Sequence, residues 1–324
     1  MVMTIRFDRF GDPEVLEKQE IALPAPGRGE VLLRHTAIGL NFFDIYQRSG
    51  LYPLPLPSGL GAEAAGVIEA LGNGVDSFAV GDRVAYCTAP VGAYSEARLI
   101  PAACLIKLPA AIDDQTAAAM MLKGLTAHYL LRRTYRISAG ETILFHAAAG
   151  GVGLIACQWA SHLGATVIGT VGSRQKAELA RAHGCNHPIL YREEDFTRRL
   201  RALTEGAGVP VVYDSIGKDT FEKSLDCLRP FGLMVSFGNA SGVVPPVPVG
   251  LLADKGSLYL TRPSLFTHAQ EPGYLAGAAA ELFDLVSRGI IKIEVNQTYS
   301  LGDIAQAHRD LEARKTTGST VILP

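Results

Sequence analysis

Phe145-His146-Ala147-Ala148-Ala149-Gly150-Gly151-Val152-Gly153 is the stretch on which the fold turns. It closes an expected strand at 142–147 and opens an expected helix at 151–163. In that helix Val152, Ile155, Trp159 and Leu163 keep helical spacing, and the pattern stops before Gly164. A helix N-terminus exposes unpaired N–H groups and a partial positive charge. A pyrophosphate reaches them only where the backbone carries little side-chain bulk. Against the pattern G-x-G-x-x-G, Ala148 takes the first place, and Gly150 and Gly153 hold the other two. A tight strand–helix turn with no ligand is the plainer alternative, and the context on either side weighs against it. Further strands are expected at 166–171, 188–191, 210–214, 232–237 and 257–261, with helices at 174–183, 193–204 and 219–228. Six strands alternating with helices predict an α/β fold built on a doubly wound parallel sheet.

Before residue 122 the texture differs. Short β-type runs such as Val31-Leu32-Leu33, Gly66-Val67-Ile68, Arg83-Val84-Ala85-Tyr86 and Leu105-Ile106-Lys107-Leu108 alternate with Pro26-Gly27, Gly72-Asn73-Gly74 and Gly81-Asp82. That spacing predicts a mainly antiparallel barrel or sandwich. After about 270 a helix at 277–288 and a strand at 319–323 remain. The six-strand unit is already complete, so the tail is expected to return to the first domain. The expected domains are 1–123 with 266–324, and 124–265.

The 324 residues carry 30 Lys+Arg against 32 Asp+Glu, a net charge of 30 − 32 = −2, with 48% apolar and 19% charged residues. This excludes a disordered chain and argues against nucleic acid as a partner. Cys87, Cys104, Cys157, Cys185 and Cys227 are odd in number, and no two fall within four residues of each other. They read as reduced thiols of a cytoplasmic protein rather than a disulfide framework. No signal-peptide pattern opens the chain, and no 18-residue apolar run predicts a membrane span.

An NAD site usually places Asp or Glu about 20 residues after the glycines, to accept from the ribose 2′-hydroxyl. Here the stretch is Thr170-Val171-Gly172-Ser173-Arg174-Gln175-Lys176, with no acid before Glu178. Ser173, Lys176 and the Gly172 backbone suit a 2′-phosphate instead. In the usual strand order, Leu190-Tyr191-Arg192 ends the neighbouring strand and reaches the same group. NADPH is therefore expected over NADH. Arg174 alone reads as a solvated surface residue.

Many short motifs now align with one family. They are Pro26-Gly27-Arg28-Gly29-Glu30-Val31, Gly39-Leu40-Asn41-Phe42-Phe43-Asp44, Arg48-Ser49-Gly50-Leu51-Tyr52-Pro53, Gly81-Asp82-Arg83-Val84 and Lys123-Gly124-Leu125-Thr126-Ala127. The glycine loop, Val212-Tyr213-Asp214-Ser215-Ile216-Gly217 and Phe237-Gly238-Asn239-Ala240-Ser241-Gly242 complete the set. Along its full length the chain resembles the zeta-crystallin-like NADPH:quinone oxidoreductases of the medium-chain dehydrogenase/reductase superfamily. The resemblance implies a GroES-like β-barrel domain joined to a Rossmann six-stranded domain, with cofactor and substrate in the cleft between them. It implies a homodimer formed by sheet-edge pairing at 257–261. It also implies that Asn41, Phe42, Tyr46, Lys123, Thr126 and Tyr129 line the nicotinamide side, and that Gly151 and Val152 meet the pyrophosphate. Ser173, Lys176 and Tyr191 would hold the adenosine phosphate, while Asn239, Phe266 and Arg314 complete the cofactor site.

Zinc-dependent relatives in that superfamily use an early Cys and a Gly-His-Glu segment. Asn41 and Gly61-Ala62-Glu63 stand near those places, and no cysteine lies between Cys87 and Cys104. A zinc site is not expected, and Glu63 reads as structural. Reducing a simple carbonyl places on its oxygen a negative charge that a Lewis acid stabilises, whereas a quinone or other conjugated carbonyl spreads that charge over itself. Quinone reduction is the leading expectation, with enone or alkenal reduction behind it. A non-enzymatic, RNA-binding or crystallin-like role is the alternative from another class. Asn41, Tyr46 and Tyr52 are the candidate catalytic groups. Asn41 would donate to a developing oxyanion, with a capping role as its alternative; either tyrosine would donate or relay a proton. The segment 51–57, with prolines at 53, 55 and 57, is expected to form a stiff apolar wall. His128, His146, His162 and His183 read as structural or solvated.

Overall fold

The structure, a computed structural model, describes residues 1–88 and 90–324. The chain opens with β1 (Val2–Phe7), β2 (Glu17–Ile21), β3 (Glu30–Leu40), the short helix α1 (Phe42–Arg48), β4 (Ser58–Gly59), β5 (Glu63–Leu71), β6 (Arg83–Tyr86), β7 (Ala97–Pro101), β8 (Ile106–Lys107) and α2 (Asp114–Tyr129). Strand and helix then alternate through β9 (Thr142–Phe145), α3 (Gly151–His162), β10 (Thr166–Val171), α4 (Arg174–Ala182), β11 (His187–Leu190), α5 (Phe196–Leu203), β12 (Val209–Asp214), α6 (Phe221–Leu225), β13 (Leu228–Ser236), α7 (Val249–Asp254), β14 (Tyr259–Thr261) and α8 (Leu265–His268). The tail adds α9 (Tyr274–Ser287), β15 (Val295–Ser300), α10 (Ile304–Glu312) and β16 (Ser319–Leu323). Two compact units result: 1–122 with 279–287 and 293–324, and 123–278 with 288–292.

The second unit is built on one sheet in the order β11-β10-β9-β12-β13-β14, with every neighbouring pair parallel. Counted within the unit this is 3-2-1-4-5-6, the Rossmann order expected from the alternation. Leu144, Ile168, Ile189, Leu200, Val212 and Met234 form its core. The region 219–232 departs from expectation. Helix α6 is only five residues long, and β13 starts at Leu228 rather than at 232. The pairing jumps from Val209↔Leu228 to Val211↔Leu233. Phe231 bulges out in the left-handed region (φ 60°), and its N–H donates to Gly256 O at 2.9 Å. Pro230 and Gly232 flank it, so the sequence there reads as a turn.

The first unit holds a mainly antiparallel sheet, β15-β16-β3-β5-β6-β8, with β7 also paired to β3, and a small sheet β2-β1-β4. The C-terminal strand β16 pairs antiparallel with β3, Thr320 opposite Leu40 and Ile322 opposite Ile38. Val31, Leu33, Ile38, Ile68, Val84, Ile100 and Ile322 fill the core. Three helices here escaped the sequence reading. In α2, Ala117 through Met121 are all buried, so no polar face marks a 3.6-residue period. Helix α1 is short and aromatic. Helix α10 did carry a signal: Ile304, Ala307, His308 and Leu311 have i, i+3, i+4, i+7 spacing.

Candidate active site

The glycine loop follows β9 and bends sharply. Ala147 takes a positive φ of 53°, and Ala148 N–H donates to Thr170 O at 3.1 Å. Gly150 caps α3 in extended conformation, so the helix begins at Gly151. A Cβ at Gly153 would lie well inside van der Waals range of Ala147 O, and 2.8 Å from both C and Cα of Ala148. Glycine is the residue that lets α3 pack this closely on the loop. Ala148, standing where a first glycine is usual, has its methyl accommodated by a glycine elsewhere. A Cβ on Gly169 of β10 would come within 2.6 Å of it. The pattern departs from G-x-G-x-x-G while a glycine on the neighbouring strand keeps the space open.

His146 anchors the loop from below. It is fully buried, with Nδ1 2.8 Å from Thr170 Oγ1 and Nε2 2.9 Å from Ser224 Oγ. Burial lowers its pKa, opposed by the Asp214 charge. Asp214, at the end of β12, accepts from Ile216 N–H (2.7 Å), Gly217 N–H (3.1 Å), Thr220 Oγ1 (2.7 Å) and Ser224 Oγ (3.2 Å). These contacts make His146 and Asp214 scaffold, in keeping with the structural role expected for His146.

The residues expected at a 2′-phosphate converge at the C-terminal ends of β10 and β11. Ser173 caps α4, its Oγ accepting Lys176 N–H at 3.3 Å. Tyr191 N–H donates to Val171 O at 3.2 Å, which carries the ring across the end of β10. A Cβ at Gly172 would stand 3.0 Å from the Tyr191 hydroxyl, so the glycine backbone is the floor on which that ring lies. The ring is 39% exposed and has the Arg192 guanidinium over it at 6.0 Å. Arg174 faces outward and pairs with Glu193 at 3.5 Å.

Other expected residues of this unit lie on α2 and on the later loops. Lys123, Thr126 and Tyr129 are buried on the last turns of α2. Tyr129 stacks on His268 (5.0 Å, 26°), which also contacts Tyr274; His128 bonds Tyr274 Oη at 2.9 Å. Asn239 follows β13. In the amide orientation that satisfies both of its ends, its oxygen accepts from Arg262 Nη2 at 3.0 Å. Arg262 Nη1 also donates to Gly238 O (2.9 Å) and Ser236 O (3.2 Å). The sequence reading missed Arg262, which holds the loop that presents Asn239. Phe266 is half-buried on α8.

In the first unit the three candidate catalytic residues and Phe42 gather around α1. Tyr46 and Tyr52 meet edge to face at 5.2 Å; Phe42 lies 6.1 Å from Tyr46, and Phe43 5.9 Å from Tyr52. Tyr52 N–H donates to Tyr46 O at 2.9 Å. After Tyr52 the wall segment alternates: Leu54 and Leu56 turn onto the core while the prolines between them face outward. Asn41 is buried at the N-terminus of α1. Its Nδ2 donates to Glu63 Oε2 (2.7 Å) and Gly39 O (3.4 Å), and its backbone N–H donates to Asp44 Oδ2 (2.9 Å). Its amide donors are thus engaged inside the unit, and the capping alternative describes its geometry. Arg314 is exposed just after α10, in the left-handed region (φ 58°).

Two family models match the chain: a zinc-binding dehydrogenase model over residues 151–272 and an alcohol dehydrogenase GroES-like domain over 27–110. The quinone oxidoreductase of Pseudomonas aeruginosa is 58% identical over 325 residues, covering all of both chains. A crystal structure of Escherichia coli quinone oxidoreductase complexed with NADPH matches at a TM-score of 0.98 and 53% identity, over 99% of this chain and 100% of that one. A 2-haloacrylate reductase of Burkholderia is 48% identical, over 100% of this chain and 99% of the other.

The zinc in the first model's name does not suit the residues present. Both Glu63 carboxylate oxygens accept hydrogen bonds, Oε2 from Asn41 and Oε1 from Leu122 N–H at 2.7 Å. Burial, with the Glu63 charge adding to it, pushes the Cys87 thiol well above its usual range. Among the described residues, no three His, Cys, Asp or Glu side chains group as a metal site. With both lobes matched and the whole length shared with quinone oxidoreductases, the chain belongs to the quinone oxidoreductase family of the medium-chain dehydrogenase/reductase superfamily.

Proposed function

We propose that the protein is an NADPH-dependent quinone reductase that works without a metal. The observation carrying this reading is the acid-free end of β10, where Gly172 lies against Tyr191 and Ser173 and Lys176 open α4. An acid there would repel a 2′-phosphate; a lysine and a capping hydroxyl attract one. The P. aeruginosa and E. coli relatives, the latter crystallised with NADPH, support it. Bound there, NADPH supplies a hydride equivalent.

The chain's own residues bind and orient. Gly150, Gly151 and Val152 take the pyrophosphate at the start of α3. Lys123, Thr126, Tyr129, Asn239, Phe266 and Arg314 complete the cofactor site, with 124–265 as the nucleotide-binding domain and 1–123 with 266–324 as the catalytic one. Phe42, Tyr46 and Tyr52 offer flat aromatic surface to a conjugated ring, and a tyrosine hydroxyl supplies the proton. Asn41 contributes through Glu63, holding the start of α1. The 2-haloacrylate reductase relative favours a second reading, reduction of an activated alkene conjugated to a carbonyl.

The setting we propose is cytoplasmic, in keeping with five free cysteines; no described helix is long and apolar enough to cross a membrane. The assembly we propose is a homodimer. Among the described residues strand β14 pairs only with β13, and it presents Tyr259 and Leu260, both exposed, at the sheet edge. An open apolar edge of this kind invites pairing with a second copy.

One assay series tests the activity: NADPH oxidation with 1,4-benzoquinone, a naphthoquinone, an alkenal, and an alcohol with NADP⁺. The quinones should give the highest kcat/KM, and turnover restricted to the alcohol pair would end the reading. Lys176→Ala should raise KM for NADPH by roughly tenfold, equivalent to ~1.4 kcal/mol, and leave KM for NADH in place. Equal kcat/KM for NADH and NADPH in the unmodified protein would remove the phosphate-site argument.

A further inference from the structure

Helix α1 has seven residues, too few to hold its own shape in water. Asp44 and Arg48 lie four apart on one side of it. Phe42 and Tyr46, also four apart, are offset by two residues, about 200° around the helix, and so occupy the opposite side. The aromatic side belongs to the acceptor surface described above. The polar side carries a hydrogen-bonded run that neither the sequence nor the family models assign.

Arg48 is 1% exposed. Its guanidinium pairs in two-pronged fashion with Glu312 (3.0 and 2.7 Å), donates from Nε to Gly11 O (3.0 Å), and meets His308 Nδ1 at 3.1 Å. His308, on α10, is fully buried; burial first, then the Arg48 charge, bring its pKa down to about 3, so its ring is neutral. A neutral imidazole has one acceptor and one donor nitrogen. Arg48 occupies the acceptor, which leaves the hydrogen on Nε2, facing Tyr94 Oη at 3.0 Å. The Tyr94 hydroxyl then donates to Asp44 Oδ2 at 2.8 Å, the same oxygen that receives Asn41 N–H. All hydrogens in the run point one way, from guanidinium to carboxylate.

We propose that Tyr94 and His308 are positioning residues for acceptor binding: they bridge Asp44 to Arg48 along one side of α1 and thereby set the pitch of the Phe42/Tyr46 side. What that aromatic side receives rests on the proposed reductase activity; the bridging itself does not.

The full-length protein tests it with Tyr94→Phe, His308→Leu and His308→Gln, the last keeping one acceptor and one donor. Three readouts are taken: KM and kcat for 1,4-benzoquinone, NADPH Kd by fluorescence, and hydrogen exchange of the α1 amides. Tyr94→Phe and His308→Leu should raise the quinone KM at least fivefold, leave NADPH Kd within twofold, and speed α1 exchange about tenfold. His308→Gln should recover most of each loss. An unchanged quinone KM in Tyr94→Phe, with or without faster exchange, overturns the proposal. So does His308→Gln failing as badly as His308→Leu, or NADPH Kd rising in step with quinone KM. If the unmodified protein turns over no quinone, the activity reading falls, and wild-type exchange rates in Tyr94→Phe still overturn the bridging.

Discussion

Gly153→Ala is expected to weaken NADPH binding by thirtyfold or more, roughly 2 kcal/mol. The added methyl would meet Ala147 O and the Ala148 backbone, with two contacts at 2.8 Å. Those atoms are backbone and have no rotamer through which to escape. Relief requires shifting the 147–150 loop, which leads into the start of α3 where the pyrophosphate is proposed to bind. Overpacking of this sort costs ~1–3 kcal/mol. At ~2–4 °C per kcal/mol for a unit of this size, Tm should fall by roughly 2–12 °C. Gly150→Ala separates the two effects. Its Cβ would meet a single atom, Ala147 O, at 3.2 Å, so the fold should survive while the methyl obstructs the pyrophosphate. Fluorescence titration with NADPH and thermal melting on both variants provide the check. Gly153→Ala binding NADPH within threefold of the parent would detach the loop from cofactor recognition.

The second large effect is acid sensitivity. His35 and His308 are buried neutral, each with a pKa of about 3. Burial is the main cause in both; for His35 a bond to Ser95 O at 2.7 Å opposes it. His146 is shifted in the same direction, again by burial. An unfolded histidine titrates near 6.5. Below that pH the unfolded chain takes up protons that the native state refuses. Stability is therefore complete above about 6.5 and is lost as pH falls toward about 3. At pH 5 the loss is about 2 kcal/mol for each of His35 and His308, with His146 adding to it. Against a total of ~5–15 kcal/mol this is a large share. Carboxylates held low by partners, such as Asp82 beside Lys107 and Asp195 beside Lys223, change stability in the same direction, but around and below the ordinary carboxylate range rather than between about pH 6.5 and 5. Urea midpoints at pH 7.5, 6.5, 5.5 and 5.0 should fall steeply below 6.5. A level midpoint across that range would mean these imidazoles protonate in place.

The parallel sheet was legible because its signal is repeated. Each strand is an apolar run closed by a turn, and the glycine loop anchors the count. The closeness of Tyr191 to Gly172, on which the proposed 2′-phosphate site rests, is legible because strand order alone places the ends of β10 and β11 side by side. Residues whose roles depend on partners far along the chain were not. Arg262 is one basic side chain among 30 Lys+Arg until the 236–239 loop folds onto it. His35 and His308 escaped notice because partners 51 to 260 positions away create their environment: Ser95 and Tyr86 for one, Arg48 and Tyr94 for the other. Asn41 reads from its chemistry either as a donor to an oxyanion or as a helix cap; its bond to Glu63, 22 residues on, is not visible at that level. Local pattern reports local structure, and a side chain's chemistry reports its role only where its neighbours are also local.

The pairing of β16 with β3 sets an order of events during translation. Thr320 lies opposite Leu40, a separation of 320 − 40 = 280 residues. The far half of β3 must wait on the ribosome with an unpaired edge until almost the whole chain has emerged. The parallel-sheet unit, nearly continuous from 123 to 278, can close in the meantime. A nascent chain stalled near residue 300 would then be half finished in a particular way. It would have a sound nucleotide fold and a sticky, incomplete barrel, the species a chaperone would be expected to hold.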